Sequence, residues 1–435
     1  MEHTLDWWWT VDHGGKVLLA RGLEQNYMLT QATASPVVLR PSSGSSLTLN
    51  DGAPMRAVLA AMDEFGAPLW QIYLSAESLE TTAVASIDGV DGVFISGNFQ
   101  GTLRANEGGG TDLELEGAGR DSFVLRVNAA GTVQTVAHLT DHGDAGTIQR
   151  INDIAVTPGG VVFAIGLSRG DFSSTDGGSA VLTGLPPGRD SQFVVRLGPA
   201  SRGILTPIGS PWDSIVVDDE SVYVGTRIAD DTVLDGVEYG AIAEFVPLIA
   251  SRDHDLAFRW VQTPLDESEG SGEDEPMRLH SGNGRIFVGH TFTEMHNFGG
   301  HLVDAGGYIA SLSVDDGTVA WARALGVFTP DVGTAGNRVY FAGTGIGTVD
   351  LGGGSLGAAV GRDALVGVLQ NTGEYESARR FGGLDQEVAS EVQPTSAGIM
   401  VSGTWSDDMN VDGVMFRASE TQDAFLFHFA IAMED

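Results

Sequence analysis

Histidines and carboxylates gather at two places in this chain. Asp266, Glu267, Glu269, Glu273, Asp274 and Glu275 make an acidic run, and His280, His290, Glu294 and His296 follow it. Imidazole nitrogens and carboxylate oxygens are the usual ligands of divalent metals, so Ca2+ or another divalent cation is the cofactor such a group would take. The spacing His290-x-x-x-Glu294-x-His296 is not that of a zinc-protease helix. A solvated acidic loop beside unrelated strand histidines is the plainer reading. The second group is His138, Asp141, His142 and Asp144. It could do acid–base work or hold a cation, but it lacks the EF-hand loop pattern, and a flexible polar connector is the plainer reading.

Two further motifs are weaker. Trp7-Trp8-Trp9 could form a carbohydrate platform, although partial core burial suits such large apolar rings better. Arg169-Gly170-Asp171 has the composition of an adhesion tripeptide and falls where chance would place it. There is no phosphate loop or H-E-x-x-H. No residue is therefore assigned a catalytic role. The candidate binding residues are His138, Asp141, His142, Asp144, Glu273, Asp274, Glu275, His280, His290, Glu294 and His296.

The elements that must position these residues follow one repeated pattern. Strand-like runs close on Gly22, Gly97, Gly166, Gly225, Gly289, Gly343 and Gly403, after apolar stretches such as Val93-Phe94-Ile95 and Val339-Tyr340-Phe341. Each is followed by a loop, often glycine-rich, and then by a strand opened in several copies at Asp121, Asp190, Asp363 or Asp423. A short turn follows, such as Asn128-Ala129-Ala130-Gly131, and then a last strand marked in three copies by Trp70, Trp260 or Trp321. A less regular strand precedes each glycine-ended one, as at Ile151–Val156. Four strands per unit is the composition of a propeller blade, which cannot bury both faces alone. The chain is therefore expected to be all-β, a seven-bladed β-propeller forming a single domain over 1–435. The blades fall near 6–75, 82–138, 151–208, 212–262, 277–325, 332–383 and 389–435. The first is expected to begin with its innermost strand near Trp8–Val11, which leaves the last blade possibly incomplete.

The run from Val349-Asp350-Leu351-Gly352-Gly353-Gly354 through Arg362-Asp363-Ala364-Leu365-Val366 and Gly373 to Arg380-Phe381-Gly382-Gly383 resembles the bacterial SBBP-type β-propeller repeat. One copy, Ser313-Val314-Asp315-Asp316-Gly317-Thr318-Val319-Ala320-Trp321, looks closer to a quinoprotein-like propeller repeat. The resemblance implies an exported or surface-attached bacterial protein and supplies no catalytic residues.

Composition narrows the partners. Asp+Glu number 58 against 23 Lys+Arg, a formal charge of −35, and Lys16 is the single lysine. Such a surface repels nucleic acid and anionic membranes. There are no cysteines, and hence no disulfides or thiolate metal sites. No apolar run is long enough to span a membrane. Met1-Glu2-His3 is not a basic leader, so an exported form would have had its leader removed. Length is concentrated in loops on one propeller face, including 23–54, 98–120, 167–189 and 344–361. That face, rather than the face of tight turns, is expected to bind a protein or glycan without catalysis. A hydrolase or lyase site of histidine and carboxylate in the central funnel is the alternative, and a subunit of a surface or fibre assembly is another.

Overall fold

The structure is a computed structural model. It describes residues 3–12, 14–32, 37–42, 46–49, 55–87, 90–107, 113–141, 148–169, 172–174, 191–197, 202–206, 212–228, 232–234, 237–239, 246–263, 276–292, 295–418 and 422–431. Every regular element among them is a strand, and all strand pairing is antiparallel apart from one isolated bridge.

The strands fall into up-and-down groups of four. Four of these are separate sheets, for example Ile148–Val156, Val162–Arg169, Ser191–Leu197 and Arg202–Thr206, paired in that order. In each of these four sheets the second strand carries the anchor glycine. Gly166 shows why the residue must be glycine. A Cβ there would run into the Arg150 carbonyl of the first strand and the Phe193 ring of the third. Phe193 is the cross-strand partner of Gly166, so the ring covers the space a side chain would have filled. Gly403 repeats the arrangement with Val388 and Phe425.

Alternate residues of a strand point to opposite faces, and here the two faces enter different cores. In Asp423–Ile431, Phe425, Phe427 and Phe429 pack with Tyr340, Val366 and Phe381 of the preceding group. Ala424 and Leu426 pack with Val17, Leu19 and Met28 of the first group. Phe193 and Val195 likewise enter one core and Val194 the next. Each sheet is thus covered on both sides by its neighbours, and burial of these apolar faces is the driving term that stacks them. The innermost strands touch in sequence: Gly14–Arg21, Ser78–Ile87, Ile148–Val156, Trp212–Val217, Arg278–Gly282, Val327–Ala335, Glu387–Pro394, and then Gly14–Arg21 again. This cyclic order is propeller-like.

The structure corrects the expected start and end. His3–Asp12 is not the innermost strand of the first group. It pairs with Asp423–Ile431, Trp8 opposite Phe427, and so becomes the fourth strand of the last sheet. That sheet is complete, with strands from both ends of the chain. The first group is Gly14–Arg21, Asn26–Ala32, Met55–Met62 and Pro68–Ala76. The strand before Gly22 is therefore a first strand, unlike the other glycine-ended strands. Trp7 and Trp9 are almost fully buried, in line with the core reading of the tryptophan run. Trp9 donates Nε1–H to the Gly66 carbonyl at 2.8 Å. Trp70, Trp260 and Trp321 make the equivalent bond to the turn of the next sheet, through the carbonyls of Ala129, Val314 and Asn371.

Parts of the expected loops are also strand. Val90–Glu107 and Leu113–Asn128 run on as one long hairpin through much of 98–120, and Arg338–Asp350 with Ser355–Gln370 does so through 344–361. Val37–Pro41, from the 23–54 segment, pairs with His3–Asp12 and covers the outer edge of the last sheet.

Candidate functional site

Several of the innermost strands are irregular at one place. The register slips between Ile151 and Asp153, Trp212 and Ser214, Phe328 and Asp331, and Ala389 and Glu391. Bulges re-aim side chains, and here they turn a polar group toward the next innermost strand. Asp153 Oδ2 accepts from Ile215 N–H at 2.9 Å, and Asp213 Oδ2 from Met277 N–H at 3.2 Å. Asp331 Oδ2 accepts from Val392 N–H at 2.8 Å, and Glu391 Oε2 from Leu19 N–H at 2.7 Å. Lys16, at the slip between Gly14 and Val17, donates to the Thr82 carbonyl at 3.4 Å. These bonds latch successive sheets together around the axis.

Of these, Asp153, Asp331 and Glu391 line a cavity of about 960 Å³, whose wall also includes Arg278 and His280. Its mouth lies among tight turns such as Asp218–Glu220 and Asn283–Gly284. This is the face opposite the one expected to carry a site. Arg21, Arg259, Arg278 and Arg285 in its lining supply the positive charge. Burial pushes Asp153 up to about 6, against the Ile215 and Ile154 N–H bonds and the charges of Arg278 and Lys16. Burial pushes Glu391 up to about 7 and also raises Asp331, with Lys16 and Arg278 opposing. For Lys16, burial acts first and Arg278 second to lower the ammonium pKa, while the three carboxylates pull it back. Lys16 is exposed to solvent although protein surrounds it, so its charge is only partly hydrated. The result is a polar, mixed-charge site in which Asp153 and Glu391 titrate at about 6 and about 7. It can accept and donate hydrogen bonds and exchange protons.

The sequence-based candidates scatter around this centre. His280 lines the cavity, but its Nε2 accepts from Thr334 N–H at 3.1 Å, another latch to the next inner strand. His138 lies on the outer strand Val133–Asp141, 3.2 Å from the fully buried Asp121. It serves Asp121 as the guanidinium of Arg380 serves Asp363 at 3.7 Å, each one strand outward. His290 is buried edge-on to Phe292 and Tyr308, and His296 packs on Phe292 with ring centroids 4.0 Å apart. The structure thus brings His290 and His296 to one aromatic cluster and places His138 and His280 elsewhere. His142, Asp144, Glu273, Asp274, Glu275 and Glu294 lie outside the described residues, as do the side chain of Asp141 and residues Gly170 and Asp171 of the tripeptide. Among the described residues no three histidines or carboxylates converge as a metal-ligand set, and no helix is long and apolar enough to cross a membrane.

The inner-strand carboxylates were missed in the sequence reading. A signal was present: an acidic residue stands twelve or thirteen positions before Gly166, Gly225, Gly343 and Gly403.

No protein-family model matches the chain, and no curated protein matches its sequence. Among solved structures it is similar to Saccharomyces cerevisiae Sqt1, with a TM-score of 0.36 and 11% identity over 77% of this chain and 95% of that one. The phage phi92 endosialidase gives 0.34 and 8% over 99% and 70%, and BamB from Moraxella catarrhalis gives 0.27 and 10% over 83% and 99%. Likenesses this loose carry no argument; the arrangement of sheets rests on the pairing and cores described above.

Proposed function

We propose that the chain is one seven-bladed β-propeller domain that works as a binding or scaffold protein, with a protein or glycan partner placing a polar group in the axial cavity. The observation that carries this reading is the cavity itself. It is roomy, lined by both signs of charge, and framed by strands that hydrogen bonds hold in register, so little ordering is needed when a polar group enters. The acid-rich surface and the resemblance to SBBP-type repeats support an exported or surface-attached protein. The test is a glycan array together with capture of extracellular proteins, run with the unaltered protein and with Asp331→Asn. Retention of one partner class that the variant weakens at least tenfold supports the proposal. Binding that the variant leaves unchanged, or turnover of a substrate without retention, overturns it.

A second reading, an enzyme in the same funnel, is favoured by one observation. Asp153 and Glu391 titrate at about 6 and about 7, which suits proton transfer near neutrality. A hydrolase and lyase substrate panel, with loss of activity in Glu391→Gln, would decide for it.

A further inference from the structure

His428 stands on the last strand, at the seam where both ends of the chain join one sheet, and its ring meets two polar side chains. Nε2 lies 3.0 Å from Oγ1 of Thr395, in the turn between Glu387–Pro394 and Gly398–Trp405. Nδ1 lies 3.3 Å from Asp6 Oδ2, close enough for an ion pair but not aligned as a hydrogen bond. Such contacts commonly tighten only when substrate binds. Asp6 is the extra residue where the register passes from Leu5 opposite Phe429 to Trp7 opposite His428, and a bulge of this kind re-aims its side chain. Trp7 stacks on the imidazole, with centroids 5.1 Å and planes 5° apart, and so fixes the ring. The Ala397 N–H donates to Thr395 Oγ1 at 3.3 Å, which leaves the hydroxyl proton for Nε2. A carboxylate beside Nδ1 favours the tautomer whose Nε2 accepts that proton. The His280–Thr334 pair differs: there the Thr334 N–H also donates to Nε2, at 3.1 Å, and occupies the lone pair a base would use. Thr395 and His428 line a second cavity, of about 440 Å³, beside the mouth of the axial one, with which it shares Arg21, Gly22 and Leu23.

We propose that Thr395 is the nucleophile of an ester-hydrolysing site at this seam, with His428 as its base and Asp6 positioning the imidazole, acting on esters of short uncharged acyl groups. Carboxylate, imidazole and hydroxyl in this order are the parts of an activated nucleophile. Thr395 Oγ1 attacks the ester carbonyl carbon as Nε2 takes the hydroxyl proton. The tetrahedral oxyanion collapses, the bond to the alcohol oxygen breaks, and the imidazolium protonates the departing alkoxide. Water then attacks the acyl-threonine, its proton passing to Nε2 and on to Oγ1 as that oxygen leaves, so ester plus water gives acid plus alcohol. Arg21, the cation of the lining, donates to the carbonyl of Pro394 beside Thr395 at 3.3 Å and is the group placed to offset the oxyanion. Leu23 and Phe65, both exposed in the wall, offer apolar contact to an acyl chain. Against Arg21 the lining sets Glu24, Asp63 and Glu64, a balance that disfavours an anionic acyl group. Burial lowers the His428 pKa, against the pull of Asp6, and so favours the neutral base. The proposal goes beyond the binding reading and does not depend on which partner the axial cavity holds.

The test uses the full chain with two probes: p-nitrophenyl butyrate for turnover, and an alkyl fluorophosphonate, whose adduct is not hydrolysed off, for peptide mapping. The phosphonyl group is expected on Thr395 in the folded chain and not in urea. Thr395→Ser should keep both labelling at that position and turnover, and Thr395→Val should abolish both while circular dichroism shows the fold retained. Asp6→Asn should lower kcat at least tenfold and leave KM unchanged. His428→Gln should abolish turnover; because that ring is buried its melting curve is taken alongside, and the Thr395 and Asp6 variants decide if it does not fold. The anionic p-nitrophenyl succinate should turn over at least tenfold more slowly than the butyrate. Labelling elsewhere but not on Thr395, or turnover that Thr395→Val leaves intact, overturns the nucleophile. An unchanged kcat in Asp6→Asn overturns the positioning role, and equal turnover of the two esters overturns the substrate class.

Discussion

Glu391→Gln removes one charge from the axial cavity and keeps its shape. The amide oxygen can still accept from Leu19 N–H, so the latch to the first sheet survives. The carboxyl titrates at about 7 in the fold against 4.5 without it. Between those values the folded protein binds the proton that the unfolded chain has released, so stability falls as pH rises through that window. Below about 4.5 both states are protonated and the effect vanishes. At roughly 1.4 kcal/mol per pKa unit the ceiling is about 3 kcal/mol, and water in the channel reduces it to about 1–2 kcal/mol. The assay is denaturant melting of both proteins from pH 5 to 8.5. The variant should be the more stable by about 1–2 kcal/mol at pH 8, and the gap should close toward pH 5. A variant less stable at pH 8 would show that Glu391 stabilises the fold by pairing with Lys16, and the reasoning would fail.

Three other outcomes follow from the packing. Trp9→Phe leaves the Gly66 carbonyl without its donor at the joint between last and first sheets, and should cost about 1–2 kcal/mol in denaturant melts. Gly403→Ala drives a methyl into the Val388 carbonyl and the Phe425 ring; a loss of about 1–3 kcal/mol is expected, read as a lowered melting temperature. His138→Phe strips the buried Asp121 of its partner and should destabilise by about 3 kcal/mol, while His138→Arg, which copies the Arg380 arrangement, should recover most of it. Ligand binding by the refolded His138→Arg protein should be unchanged, since the side chain lies on an outer strand away from the cavity.

Much of the fold could be read from residue types. Gly97, Gly166, Gly225, Gly289, Gly343 and Gly403 mark second strands because a neighbour's carbonyl or, at Gly225, the Met277 and Leu279 side chains occupy the space of a side chain. The tryptophans mark fourth strands because an indole N–H reaches the next sheet's turn. That same signal explains the misreading of the first strand. Trp9 is a fourth-strand tryptophan, and recognising it would have assigned His3–Asp12 to the last sheet. The candidate site was harder to see. Asp153, Asp331 and Glu391 look like ordinary strand polar residues in sequence. Their importance comes from convergence on an axis, a property of the ring that no local window contains. His138 misled for the opposite reason: its chemistry is satisfied by a carboxylate one strand away.

The joining of His3 to Ile431 leaves the two ends of the described chain side by side at the same end of two paired strands of one sheet. A tension applied through fused partners would therefore peel one strand from its neighbour a rung at a time instead of shearing all rungs together. Such an opening would yield at low force. The rest of the ring would stay stacked until the stitched sheet had given way, so the seam would act as a mechanical fuse.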